Sequence, residues 1–90
     1  LHTRLFQQLT KEYERAHSGF QRLLNRGHEL VSSQKGGDAV SWFSRAVDLL
    51  PTQWDAHCAL GAARAQLGEC AAALPHLREC VRLEALEFLS

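Results

Sequence analysis

The chain has 90 residues, a formal net charge of zero, 46% apolar and 22% charged residues, the balance of one small globular domain rather than a disordered segment. No apolar run approaches the ~18 residues a membrane span needs, and zero net charge offers no general attraction for nucleic acid or an anionic membrane. Residues 1–20 are amphipathic and lack the basic-then-apolar order of a signal peptide, and the chain opens on Leu1 rather than Met, which reads as a domain of a longer protein.

Helical periodicity runs throughout, Ile is absent, and no stretch alternates as a strand would. Leu5, Leu9, Tyr13 and Ala16 form one apolar stripe, flanked by Leu1 and Phe6. His17-Ser18-Gly19 interrupts it. Ser18 with Gln21 fits a capping box, so a second helix is expected from about Gly19 to Ser33, with Phe20, Leu23, Leu24, Leu30 and Val31 inward. Gln34-Lys35-Gly36-Gly37 is a turn, and Asp38 is the expected N-cap of a third helix carrying Val40, Phe43, Ala46, Val47, Leu49 and Leu50, ended by Pro51. Thr52 with Asp55 would cap a fourth helix running to about Leu67, closed by a left-handed Gly68. A fifth helix spans Cys70 to Leu83, with a late start or a kink expected at Pro75, and Glu84 to Ser90 extends it or begins another. The apolar cluster Leu86, Phe88 and Leu89 is expected to pack back onto this helix.

Cys58, Cys70 and Cys80 are odd in number and form no C-x-x-C pair, which reads as free thiols in a reducing compartment, cytoplasmic or nuclear. Residues 1–35 carry six Lys/Arg against three Asp/Glu and residues 36–90 four against seven, an asymmetry read first as solvated helix faces and second as a basis for head-to-tail association.

Gly27, Ala39, Phe43, Ala46, Leu49 and Pro51 recur 34 residues later as Gly61, Ala73, Leu77, Cys80, Leu83 and Ala85. This spacing resembles the tetratricopeptide repeat, a 34-residue helical hairpin. With units 20–53 and 54–87, opened by Phe20 and Trp54, the small residues Gly27, Ala39, Ala46, Gly61, Ala73 and Cys80 stand where that family lets helices approach closely. Phe43 and Leu77 fill the inter-helix gap, and Pro51 stands at the closing place, where the second unit has Ala85. The units are identical at four places, Gly27/Gly61, Ala39/Ala73, Val47/Val81 and Leu49/Leu83. The alternative is an unrelated five-helix bundle.

The resemblance implies an all-α fragment of an α-solenoid, about five helices in antiparallel hairpins. Residues 1–19 would form a packed capping helix, 20–53 and 54–87 the two repeats and 88–90 a tail. It also implies a groove, lined by the first helices of the repeats, that holds a peptide or helix of a protein partner. The residues matching the groove-facing places are Gln21, Leu24, His28, Val31, Ser32, Asp55, Cys58, Ala62, Ala65 and Gln66. The Lys/Asn clamp with which one branch of the family holds a chaperone's terminal carboxylate is replaced by Leu24, His28 and Ala59, so that ligand is not expected. Trp42 falls on the outer face of its helix, an anchor for an interface or a residue covered by the N-terminal helix. The expected role is therefore a scaffold or adaptor module that binds protein. The second reading is self-association through the first helix or the C-terminal tail.

An enzyme is not expected. His57, Cys58, Cys70, His76 and Cys80 are the clustered metal-type residues, but only His76 and Cys80 share a helix face, so no metal or other cofactor is expected. No orienting carboxylate or oxyanion donor accompanies a Cys/His pair, and Gly36-Gly37 lacks the Lys-Ser/Thr of a phosphate loop. No basic patch with interleaved aromatics suits nucleic acid. His2, His17, His28, His57 and His76 are expected to face solvent.

Overall fold

The computed structural model describes residues 2–89. Leu1, read above as flanking the first stripe, Ser90, the end of the tail, and the side chain of His2 lie outside the described residues. The described chain forms four α-helices: α1 (His2–Ser32), α2 (Gly36–Leu49), α3 (Trp54–Gln66) and α4 (Cys70–Leu89). The all-α class follows, but with four helices, because the break expected at His17-Ser18-Gly19 does not occur. One Gly and one Ser inside a helix cost only about 1 kcal/mol or less each. Along the same side of α1, Tyr13 stacks on His17 at 5.9 Å and His17 on Phe20 at 6.4 Å, tying the segments together. Gln21 does not reach back to cap Ser18; its Nε2 donates to Asn25 Oδ1 at 3.1 Å.

Each helix packs on its neighbour in sequence, α1 on α2, α2 on α3 and α3 on α4, with a light contact between α1 and α3. The core comprises Phe20, Leu24 and Leu30 of α1, Ala39, Phe43 and Ala46 of α2, and Ala56, Leu60 and Ala63 of α3. Phe20 and Phe43 are its largest fully buried side chains. Ala73, Cys80 and Leu83 are the buried residues of α4.

Close approach is secured at two places one period apart. A Cβ on Gly27 would run into the Phe43 ring, and one on Gly61 would come within 2.7 Å of the Leu77 side chain. The turns after α1 and α3 repeat at the same interval. Gln34 (φ 62°) and Gly68 (φ 82°) are left-handed. Lys35 N donates to Leu30 O at 2.8 Å and Glu69 N to Arg64 O at 2.9 Å. Gln34 N donates to Val31 O and Gly68 N to Ala65 O, both at 3.0 Å. Both turns are Schellman closures, which satisfy the last carbonyls of a helix. Gly68 is left-handed as expected. In the first turn that conformation falls on Gln34 rather than on Gly36 or Gly37.

Four local expectations are corrected. Asp38 does not cap α2: the helix starts at Gly36 after Lys35, with no side-chain cap bond, and Asp38 lies in the first turn. Thr52 does not cap α3 either; Gln53 stands at the cap, and Asp55 Oδ1 accepts from Ala56 N at 3.0 Å. Of the late start or kink expected at Pro75, the late start does not occur: the helix begins at Cys70. Pro75 deprives the Ala71 carbonyl of its donor, and both residues are exposed, so water can take the donor's place. The tail does extend this helix, to Leu89. Phe88 and Leu89 do not pack back, however, and are 88% and 79% exposed, while Leu86 is 51% exposed. At positions 81–89 α4 buries only Leu83, the residue aligned with its inward face.

The packing expected of residues 1–19 as a capping helix is not seen over residues 3–15. Residues 3–15 are all exposed, whereas α1 is buried or half-buried at Gly19, Phe20, Leu23, Leu24, Gly27, Leu30 and Val31. Leu49, the last residue of α2, lies beside Gly19. The N-terminal half of α1 therefore projects past the end of α2.

The cysteines depart from expectation as well. Cys58 of α3 and Cys80 of α4 form a disulfide, with Cα atoms 5.1 Å apart, and Cys70 is a free, exposed thiol. This is the normal Cα spacing for such a bond. The reading of a reducing compartment rested on three free thiols, and the pairing removes that premise. Among the described residues no helix is long and apolar enough to cross a membrane.

Candidate partner-binding surface

The ten residues of the expected groove separate into two groups. Gln21, His28 and Ser32 of α1 are exposed, and steps of seven and four place them on one helix face. Ala62, Ala65 and Gln66 of α3 are exposed too, within one turn of one another. His28 is oriented by the core beneath it: its ring stands edge-on to Phe43 at 5.1 Å. None of these six side chains is an acid or a Lys/Arg, so the exposed lining combines two small apolar residues with four polar ones.

The other four are occupied. Leu24 is 4% exposed and belongs to the core, and Val31 is half-buried against it. Cys58 is bonded to Cys80. Asp55 is half-buried and turned to the amide of Ala56. Leu24 and Cys58 are equivalent residues one period apart, and both are used to close a hairpin rather than to face a ligand. A partner would meet the outer six residues and the edge of Val31.

Trp42 is half-buried. It packs at the edge of the core, and the Arg45 guanidinium lies 4.7 Å from its ring centroid. This cation–π contact leaves part of the indole open.

The α3–α4 seam holds polar groups that the sequence reading placed in solvent. His57 is 8% exposed. Its Nε2 lies 2.8 Å from Pro51 O, so the ring donates from Nε2 to the carbonyl of the preceding turn, and the buried Nδ1 has no hydrogen-bond partner among the described residues. His76 is half-buried 6.1 Å away, ring centroid to ring centroid. Its pKa is held below the ordinary histidine value, chiefly by burial, then by the positive charge of Arg64 and by His57. Arg64 reaches Glu69 at 3.6 Å across the turn, with its Nε buried and unpartnered. Among the described residues, no group of three or more His, Cys, Asp or Glu is placed to hold a metal ion. The burial of His57 had a signal in the sequence: it aligns with Leu23, an inward-leaning residue of the first hairpin.

Sequence reasoning also missed an exposed apolar face. Leu5, Phe6, Leu9 and Tyr13 are 58%, 71%, 55% and 63% exposed on the projecting half of α1. Their inward spacing was read as packing, and the structure gives that face nothing to pack on.

No protein-family model matches the chain, and no curated protein matches it.

Proposed function

We propose that this chain is a protein-interaction module of the tetratricopeptide type, which acts by binding rather than by catalysis. The observation that carries this reading is the recurrence of a close helix crossing and a left-handed turn at one 34-residue interval. Gly27 against Phe43 is echoed by Gly61 against Leu77, and the left-handed turn at Gln34 by that at Gly68. Stacked hairpins of this kind present extended surfaces instead of enclosed pockets. The partner would be an extended peptide or a helix with little net charge, laid along Gln21, His28, Ser32, Ala62, Ala65 and Gln66. In the intact protein the module would serve a scaffold or adaptor role.

The test is affinity capture from a cell extract with the wild-type chain beside an Ala62→Arg/Ala65→Arg variant. Both positions are exposed, so helicity by circular dichroism should be unchanged. The variant should lose the proteins retained by the wild type. Equal retention by both chains would reject the groove.

A further inference from the structure

The seam between α3 and α4 is held differently from the rest of the molecule. Among the described residues α4 packs on no helix but α3, and of its 20 residues Ala73, Cys80 and Leu83 alone are buried. One of those three is half of the cross-link, and Leu77 and His76 add half-buried contacts. Two buried atoms on the α3 side act against this contact. Nδ1 of His57 and Nε of Arg64 have no hydrogen-bond partner among the described residues. Both belong to the seam: the His57 ring lies against His76, and the charge of Arg64 acts on His76. A buried polar atom left unpaired opposes the closed state, because water satisfies it once the seam opens.

From this balance we infer that Cys58–Cys80 is a reversible latch. A small monothiol of the glutathione class opens it at Cys58, and α4 then lifts from α3 while α1, α2 and α3 stay packed. A cross-link closing 22 residues favours the closed seam by a factor on the order of 100. After reduction, Ala73, Leu77 and Leu83 hold the seam against the two unpaired atoms. The core of Phe20, Leu24, Phe43 and Leu60 includes no residue of α4 and keeps its contacts. The opening is therefore local, of the kind in which one element leaves a core that remains folded. None of this depends on a partner in the groove.

The point of attack follows from exposure. Cys80 is 3% exposed, whereas Cys58 is half-buried. Steps of four and seven place Ala62 and Ala65 on the same face of α3 as Cys58; both are exposed and offer only methyl groups as cover. The monothiol, its proton given to water, bonds as thiolate to the Cys58 sulfur. The bond to Cys80 breaks with its electron pair on Cys80, which takes up a proton. A second monothiol attacks the sulfur of the first, which leaves as the small disulfide, and Cys58 departs as a thiolate that is then protonated. The chain gains two electrons and two protons, and two monothiols are oxidised to one disulfide. The reverse steps, driven by that disulfide, close the latch.

Hydrogen exchange read by mass spectrometry, with the chain held in oxidised or in reduced glutathione, tests this. In reduced glutathione the amides of α4 should exchange up to ~100-fold faster, and those of α2 and of residues 20–31 less than about threefold faster. Cys58→Ser should show the fast α4 in both buffers, and Cys70→Ser should switch as the wild type does. Samples quenched with acid early in the reduction should carry a glutathione adduct on the peptide that contains Cys58. An α4 whose exchange stays unchanged in reduced glutathione would overturn the latch, as would all four helices speeding up together. An adduct appearing first on Cys80 would overturn the assigned point of attack.

Discussion

The two hairpins share a spacing but not a means of closure. In the first, α1 and α2 are held by the ring of Phe43, 1% exposed and seated on the bare backbone of Gly27. In the second, the equivalent residue is Leu77, half-buried on Gly61, and the helices are also joined by Cys58–Cys80. The main core lies among α1, α2 and α3, and among the described residues α4 rests on α3 alone. The helix outside that core is thus the one with the covalent tie. The repeat spacing sets where helices cross, while the strength of each crossing is set by whatever stands at a few positions on either side.

The largest expected effect separates the two crossings directly. Phe43→Ala should destabilise by about 3–5 kcal/mol, and Leu77→Ala, at a half-buried site, by clearly less. Chemical denaturation of the two variants checks this, and equal losses would break the contrast. Next comes the covalent tie. Cys58→Ser should cost about 3 kcal/mol under oxidising conditions, as expected for a cross-link that spans 22 residues. Reductant should lower the wild-type melting temperature toward that of the variant and leave the variant unmoved. Cys80→Ser is the poorer choice, because its buried hydroxyl would need a partner.

A smaller effect tests the turns. Gln34 holds a left-handed conformation that Gly68 adopts without steric cost. Gln34→Gly should therefore stabilise the fold by about 0.5–1 kcal/mol, and Gly68→Gln should destabilise it by a similar amount. Thermal melts of the two single variants would show opposite shifts. The smallest effect comes from the α3–α4 seam. The pKa of His76 is depressed in the folded chain, mainly by burial, so the unfolded chain binds its proton more readily. The stability linked to neutral His76 is full above its ordinary value of 6.5 and is lost as pH falls through the lower, folded value. Melting temperatures measured downward from neutral pH should decline less in His76→Gln than in the wild type.

Much of the fold was legible in the residues. Of the residues picked out by the 34-residue interval, Gly27, Ala39, Phe43, Ala46, Gly61, Ala73, Cys80 and Leu83 are buried and Leu77 is half-buried, whereas Leu49, Pro51 and Ala85 are exposed. The helix starts were less legible. Ser18, Asp38 and Thr52 each have the side chain of a cap, but a cap contributes only about 1 kcal/mol, which the packing of a whole helix face outweighs. The same holds for the continuity of α1, where local punctuation at Ser18-Gly19 yielded to the stack from Tyr13 to Phe20. The groove places came from the resemblance, which implies Gln21, His28 and Ser32, exposed in the structure, alongside Leu24 and Cys58, which are spent inside their own hairpins. The pairing of Cys58 with Cys80 depends on the register between two helices, and no spacing along one helix carries that register.

The wiring of α1 to α2, α2 to α3 and α3 to α4 bears finally on how the chain reaches this state. Apart from a light α1–α3 contact, every packed pair is adjacent in sequence, so no closure of a long loop stands between the unfolded chain and the fold, and assembly belongs to the fast, low-contact-order regime of helical proteins. The cross-link lies within the last hairpin, so its loop can close without waiting for the rest of the molecule. Strand-like detours and distant docking steps have no part in such a route, and growth can spread from whichever hairpin forms first.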